Sequence, residues 1–85
     1  MKIGIAGTLE SNDTMITVKE SDSLIIKVKS IVDEFFHDSI VKTIEDTLKE
    51  LNISKIKVIC EDKGALDYTI KARLITAIQR MEKSL

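Results

Sequence analysis

The apolar residues of this chain change their spacing three times, and this pattern limits the fold more than any other feature of the sequence. Over residues 3–29 they recur mostly at every second position, which is typical of strands. Over 32–51 they recur at spacings of four and three, which is typical of one face of a helix. The alternating period returns over 53–61 and the helical period over 66–81. The pattern therefore predicts the order β-β-β-α-β-α.

Three strands are predicted in the N-terminal part of the chain, over residues 3–9, 14–19 and 24–29. The segments between them, 10–13 and 20–23, are polar and have the composition of turns. Because only four polar residues join the second and third strands, we expect these two strands to form an antiparallel hairpin.

Each of the two predicted helices carries one apolar stripe. Ser30 can serve as the N-cap of the first helix, with Asp33 in the capping-box position, and Asn52 can end it. The first stripe consists of Val32, Phe36, Ile40, Ile44, Leu48 and Leu51, and the second of Leu66, Ile70, Leu74, Ile78 and Met81. We therefore predict a single α+β domain over residues 1–85. It is a two-layer sandwich, with both helices on one face of a mainly antiparallel four-stranded sheet.

Composition and charge argue against several classes of function. The chain has 13 basic and 14 acidic residues, so it lacks the excess of positive charge that nucleic-acid binding needs. Its three aromatic residues, Phe35, Phe36 and Tyr68, offer few anchors for a flat ligand. The apolar runs are too short to span a bilayer, and the N-terminal residues do not form a signal peptide. We expect a cytoplasmic protein without nucleic-acid or membrane partners.

The residue types that usually carry catalysis are scarce and scattered. His37 is the single histidine; it lies off the apolar stripe, without a patterned nucleophile, and we interpret it as a surface residue. Cys60 is the single cysteine and lies on the apolar face of a predicted strand, so we interpret it as a buried structural thiol. The spacing of possible ligands predicts no metal site, and no phosphate-binding loop is present. We predict no catalytic residues, so the chain is not expected to be an enzyme by itself.

The two predicted helices differ in charge. Residues 31–51 contain six acidic and two basic residues, whereas 66–85 contain two acidic and four basic residues. The first helix could be an acidic docking surface for a basic partner. It could equally be a solvated face with i,i+4 ion pairs, such as Asp38 with Lys42 and Glu45 with Lys49, and we favour this second interpretation.

Two segments make the sequence specific. Residues 6–13 have the sequence AGTLESND, and residues 62–67 have the sequence DKGALD, followed by Ala72 and Arg73. Both segments resemble the acyl carrier (gamma) subunit of citrate lyase, and the resemblance covers nearly the whole chain in order. The second segment also has a structural interpretation. Asp62 and Gly64 turn the chain from strand to helix, while Asp67 complements the helix dipole and can pair with Lys71.

The resemblance implies that Ser11 is the attachment point of a prosthetic group, phosphoribosyl-dephospho-CoA, bound through a phosphodiester. In that family the arm carries acetyl and citryl thioesters between an acyltransferase subunit and a lyase subunit during citrate fermentation. A separate transferase attaches the group. The residues themselves are compatible with this role, because Ser11 lies in a polar turn after a strand, where an enzyme can reach it.

Three alternatives stay open at this stage. The chain could be the carrier subunit of a related lyase that acts on citramalate. It could also be a phosphopantetheine carrier modified at Ser23, because Asp22-Ser23-Leu24 matches the attachment triplet of those proteins. Those carriers are helical bundles with the serine at a helix start, whereas Ser23 precedes a predicted strand. Finally, the chain could be a non-enzymatic interaction module without any prosthetic group.

Overall fold

A computed structural model describes residues 2–31 and 33–84, apart from the side chains of residues 33 and 34. Within these residues the elements follow the predicted order, which is thereby confirmed. The strands are β1 (Ile3–Gly7), β2 (Thr14–Glu20), β3 (Leu24–Ser30) and β4 (Ile56–Asp62), and the helices are α1 (Asp33–Glu50) and α2 (Asp67–Glu82).

The described strands form one sheet in the order β1-β2-β4-β3. The β1–β2 and β2–β4 pairs are antiparallel, and the β3–β4 pair is parallel. Helix α2 packs on β1 and β2, α1 packs beside it on β3, and the two helices contact each other. The predicted two-layer α+β sandwich is confirmed, with a sheet that is mixed rather than purely antiparallel.

The predicted hairpin of β2 and β3 is wrong, because β4 lies between them. Ile56, Val58 and Cys60 of β4 are fully buried, so this strand gains most from a place inside the sheet. Lys27 and Lys29 of β3 are exposed, and charged side chains suit an edge strand. Helix α1 supplies the long crossover that a parallel pair needs, so β3 and β4 can pair directly.

The core lies between the sheet and the two helices. Within the first predicted stripe Ile40, Ile44 and Leu48 are buried as expected. Phe36 and Leu66, by contrast, remain 53% and 59% exposed. Phe36 lies in the first turn of α1, and Leu66 is the residue before α2. Each apolar stripe is therefore exposed at its N-terminal end.

The helix termini were predicted at Ser30 and Asn52. Ser30 is the last residue of β3, and its hydroxyl donates to the Asp62 carboxylate at 2.9 Å. Val32 lies outside the described residues, and Asp33 outside the described side chains, so the capping box of Ser30 with Asp33 stays a prediction. Asn52, two residues after the end of α1, has a φ of +56°, as expected for a helix stop.

Close contact between β1 and α2 depends on Gly4. A Cβ atom at this position would overlap the backbone carbonyl oxygen of Ala77 in α2. Because the helix backbone lies directly over this strand, the start of the chain is fixed to the core without a large side chain.

The ion pairs are not the predicted ones. Lys42 pairs with Asp46, at 3.0 Å on the exposed face of α1. Lys71 contacts Glu50 at 2.9 Å rather than Asp67, and so joins α2 to the end of α1. Exposed pairs of this kind contribute only ~0–1 kcal/mol each. Of these two pairs, the contact of Lys71 with Glu50 brings opposite charges on the two helices together.

The structure confirms that Cys60 is buried. Its sulfur lies 3.2 Å from Thr14 Oγ1, and burial raises the pKa of the thiol. A thiolate is the reactive form of cysteine. Burial therefore lowers the reactivity of Cys60 in two ways: reagents cannot reach the sulfur, and the raised pKa reduces the thiolate fraction. Among the described residues, no helix has the length and apolarity required to cross a membrane.

We predict that Cys60 resists alkylation in the folded protein. Iodoacetamide at pH 8 should leave the native chain unmodified and should add one group when the chain is unfolded in urea, as measured by intact mass. The variant Ser54→Cys places a thiol on an exposed loop residue and serves as the positive control. If native Cys60 reacted as fast as this control thiol, the buried position would be contradicted.

Candidate attachment site

The turn that contains Ser11 lies at the end of the sheet where both helices begin. At this end Thr14, the first residue of β2, is opposite Asp62, the last residue of β4. Ser30, the last residue of β3, also lies opposite Asp62, and β1 ends there with Gly7. Helices α1 and α2 start within a few residues of these strand ends.

Ser11 is the second residue of a tight turn. The Glu10 carbonyl accepts the N–H of Asp13 at 3.1 Å, and Asn12 has a φ of +66°. A positive φ at the third turn residue is typical of type II turns and is tolerated well by asparagine. The Glu10 N–H donates to Thr8 Oγ1 at 3.2 Å, which fixes the approach to the turn. The Ser11 side chain itself is exposed.

Two backbone hydrogen bonds join this turn to the loop after β4. The N–H of Asn12 donates to the carbonyl of Lys63 at 2.8 Å, and the N–H of Lys63 donates to the carbonyl of Asp13 at 2.9 Å. They continue the β2–β4 ladder beyond the sheet. The segments 6–13 and 62–67, which are distant in sequence, are therefore neighbours in space.

Asp13 is the most connected side chain of the turn. Its carboxylate accepts two hydrogen bonds from the Arg73 guanidinium, from Nε and Nη2 at 3.1 Å each. It also accepts the Thr8 hydroxyl and the Thr14 N–H, at 2.7 Å each. These bonds, with that of Arg73 first, lower the pKa of Asp13 from 3.8 to about 2. Sequence reasoning missed this pair, because no periodic pattern links positions 13 and 73.

Asp62 organises the neighbouring loop, as the sequence predicted. It is buried, and its Oδ2 accepts the Gly64 N–H at 3.0 Å and the Ser30 hydroxyl at 2.9 Å. Its Oδ1 accepts the Ala65 N–H at 3.1 Å. These three donors satisfy the hydrogen-bonding capacity of the buried carboxylate oxygens. The bonds to Gly64 and Ala65 also turn the chain from β4 toward α2.

Gly7 makes the start of the Ser11 loop possible. It has a φ of +93°, a region that residues with a Cβ rarely adopt. A Cβ atom there would also overlap the carbonyl oxygen of Thr14. The loop can therefore leave β1 and return into β2 only with glycine at this position.

The surroundings of Ser11 are compatible with a covalently attached anionic group. The hydroxyl is exposed, and the charge of Asp13 is already compensated by Arg73. No cluster of three or more possible metal ligands occurs in the part of the chain that the structure describes.

Ser23, the alternative attachment residue, lies at the opposite end of the sheet. It follows β2 and directly precedes β3, and its N–H donates to Ser21 Oγ at 3.3 Å. As predicted, it enters a strand and not a helix.

Comparison with known proteins identifies relatives over most of the chain. The protein family described as malonate decarboxylase delta subunit matches residues 1–81. The citrate lyase acyl carrier protein of Streptococcus mutans is 49% identical over 78 residues, covering 89% of this chain and 76% of that protein. The citrate lyase acyl carrier protein of Halothermothrix orenii is 44% identical over 79 residues, covering 92% and 84%.

A solved structure shares the fold. A chain in the crystal structure of a Pseudomonas malonate decarboxylase hetero-tetramer in complex with malonate superposes with a TM-score of 0.77. The match covers 96% of this chain and 82% of that chain, at 18% sequence identity. At this identity the likeness concerns the fold alone.

The pairing of Asp13 with Arg73 predicts a pH dependence of stability. Since folding lowers the pKa of Asp13, the contribution is complete above about pH 4 and is lost as the pH falls toward about 2. Asp13→Asn should therefore lower the free energy of unfolding by about 1–2 kcal/mol at pH 7, a modest value because Arg73 is partly exposed. Most of the difference from the wild type should be lost by about pH 2.

Thermal and urea unfolding between pH 7 and pH 2 measure this difference. Asp46→Asn is the matched control, because it makes the same chemical change in the exposed pair with Lys42 and should cost under ~0.5 kcal/mol. A cost for Asp13→Asn no larger than that of the control, or one independent of pH, would show that the pair does not anchor the turn.

Proposed function

Since the chain belongs to the family of citrate lyase acyl carrier proteins, we propose that it carries acyl groups as thioesters on a phosphoribosyl-dephospho-CoA arm attached to Ser11. Its relatives are named as acyl carriers, and the chain is a non-catalytic carrier subunit. The acyl groups are acetyl and citryl, and the arm moves them between an acyltransferase and a lyase subunit in the cytoplasm.

The observation that carries this proposal is the position of Ser11, which is exposed on a turn that hydrogen bonds hold in place. The residue is exposed, yet the turn around it is held by the backbone bonds to Lys63 and by the bidentate contact of Asp13 with Arg73. A transferase therefore meets a hydroxyl in one fixed place, and a bound arm starts from one fixed point. An ordinary surface turn does not need a nearly buried carboxylate with four donors behind it.

The residues of the chain divide this work between attachment and support. Ser11 Oγ forms the ester oxygen of the phosphodiester, and Asp13 and Arg73 hold the turn without contacting the reacting acyl group. The prosthetic group supplies a thiol, whose thioester activates the acyl group for exchange and cleavage. Because the arm is tethered, the acyl group reaches each active site at a high effective concentration.

The partners are the acyltransferase and lyase subunits and the transferase that attaches the group. Support for a multi-subunit assembly comes from the Pseudomonas protein of the same fold, which is part of a hetero-tetramer. A citramalate-specific complex would use the same carrier chemistry, so the acyl group itself has to be identified by experiment.

We predict that Ser11→Ala abolishes loading and leaves the fold intact. Alanine has no oxygen to form the phosphodiester, and an exposed turn serine contributes within ±0.5 kcal/mol to stability. Ser23→Ala is the matched control and should load like the wild type. Incorporation of the labelled prosthetic group by the matching transferase, followed by intact mass, measures loading; thermal melts confirm folding.

The outcomes separate the alternatives. If folded Ser11→Ala still accepts the group and Ser23→Ala does not, the attachment site is Ser23 in the phosphopantetheine-type triplet. A wild-type chain that accepts no group from the transferase would leave the interaction module as the function. Assay of the loaded chain with citrate and with citramalate, in complexes that contain the respective lyase subunits, identifies the acyl group.

A further inference from the structure

The aromatic residues of this chain lie outside the core. Phe35 is 80% exposed, Phe36 is 53% exposed and Tyr68 is 72% exposed. They are the three aromatic residues of the sequence, and all belong to the first turns of α1 and α2, at the end of the sheet that holds Ser11. Exposed aromatic surface contributes little to stability, so three such residues at one end of the molecule call for another explanation.

A cavity of about 230 Å³ lies between the start of α1 and the loop that leads into α2. Its wall is mainly apolar, and it includes Phe36, Ile40, Asp62, Gly64, Leu66 and Asp67. Sites for drug-sized ligands usually measure ~300–1,000 Å³. This cavity therefore has room for one ring system and not for a whole coenzyme.

The cavity is adjacent to the Ser11 turn. Gly64 forms part of its wall, and a Cβ atom on Gly64 would lie 3.6 Å from Asn12 Oδ1. Asn12 follows Ser11 directly and is hydrogen-bonded to Lys63, the residue before Gly64. The cavity is therefore close enough to the Ser11 turn for a group joined to Ser11 through a phosphate and two riboses.

The polar groups of the wall restrict what can enter. The Asp62 carboxylate is already occupied by Ser30, Gly64 and Ala65. Asp67, at the start of α2, is exposed, and Lys71 pairs with Glu50 instead. Two carboxylates in one small apolar cavity disfavour phosphates and carboxylated acyl groups. They favour a neutral, flat group that donates an N–H.

We propose that this cavity holds the adenine ring of the arm on Ser11, stacked on Phe36 with its exocyclic amino group toward Asp67. This inference rests on the proposed function, which supplies an arm with a single adenine. Adenine is neutral and flat, and its amino group is a hydrogen-bond donor. The pyrophosphate and the thioester end stay outside, so the middle of the arm is fixed while its reactive end remains free for the partner enzymes.

Nuclear magnetic resonance of the loaded chain tests the proposal, after intact mass has shown that the arm is attached. We expect nuclear Overhauser effects between the adenine H2 and H8 protons and the Phe36 ring, and amide shift changes at Gly64, Ala65 and Leu66 relative to the unloaded chain. Phe36→Ala should lower the equilibrium constant for stacking about tenfold, since each stacked base contributes ~1–3 kcal/mol. Phe35→Ala is the matched control, because Phe35 is the adjacent aromatic and does not line the cavity.

A second measurement is independent of loading. Adenosine titrated into the unloaded chain should shift the same amides, and it should shift them less in Phe36→Ala than in Phe35→Ala; pantetheine should not shift them. Absence of these shifts, equal effects of the two variants, or contacts of Phe36 with pantetheine protons instead would each overturn the proposal. Failure of loading at Ser11 with intact adenosine binding would count against the proposed function and not against the cavity.

Discussion

The pairing of β4 with both β2 and β3 is the constraint on which the rest of the structure depends. It places β3 and β4 in parallel and β2 antiparallel to both, so the N-terminal end of β2 meets the C-terminal ends of its neighbours. Because α1 and α2 follow β3 and β4, both helices also begin at this end. A single choice of strand order thus brings Ser11, the Asp62 loop and the exposed aromatic residues to one end of the molecule.

The turn at that end is held by hydrogen bonds and charge, and not by apolar packing. Asp13 joins the turn to α2 through Arg73, while Asp62 joins β3, β4 and the start of α2. Each carboxylate receives at least three donors, so the cost of removing it from water is offset locally. Such a support can hold an exposed hydroxyl in place without covering it. An apolar support would have covered the hydroxyl, whereas the proposed attachment needs it exposed.

Local periodicity was enough to predict the elements, and the two segments around Ser11 and Asp62 were enough to predict the family. The strand order could not be predicted in the same way, because a short polar link between β2 and β3 is compatible both with a hairpin and with a connection past β4. The contact of Asp13 with Arg73 was equally hidden, since it joins residues that share no pattern. Both failures concern long-range contacts, which sequence spacing does not encode.

The places where the helical pattern fails are informative about function. Periodicity assigned Phe36 and Leu66 to the core, and the structure leaves more than half of each exposed. Such a conflict is tolerated where another requirement acts on the same residues. Here both residues line the cavity beside the Ser11 turn, together with the buried Ile40, whereas Ile70, one turn further along α2, lies in the core. The same apolar stripes therefore stabilise the fold along most of their length and are available to a bound group at their N-terminal ends.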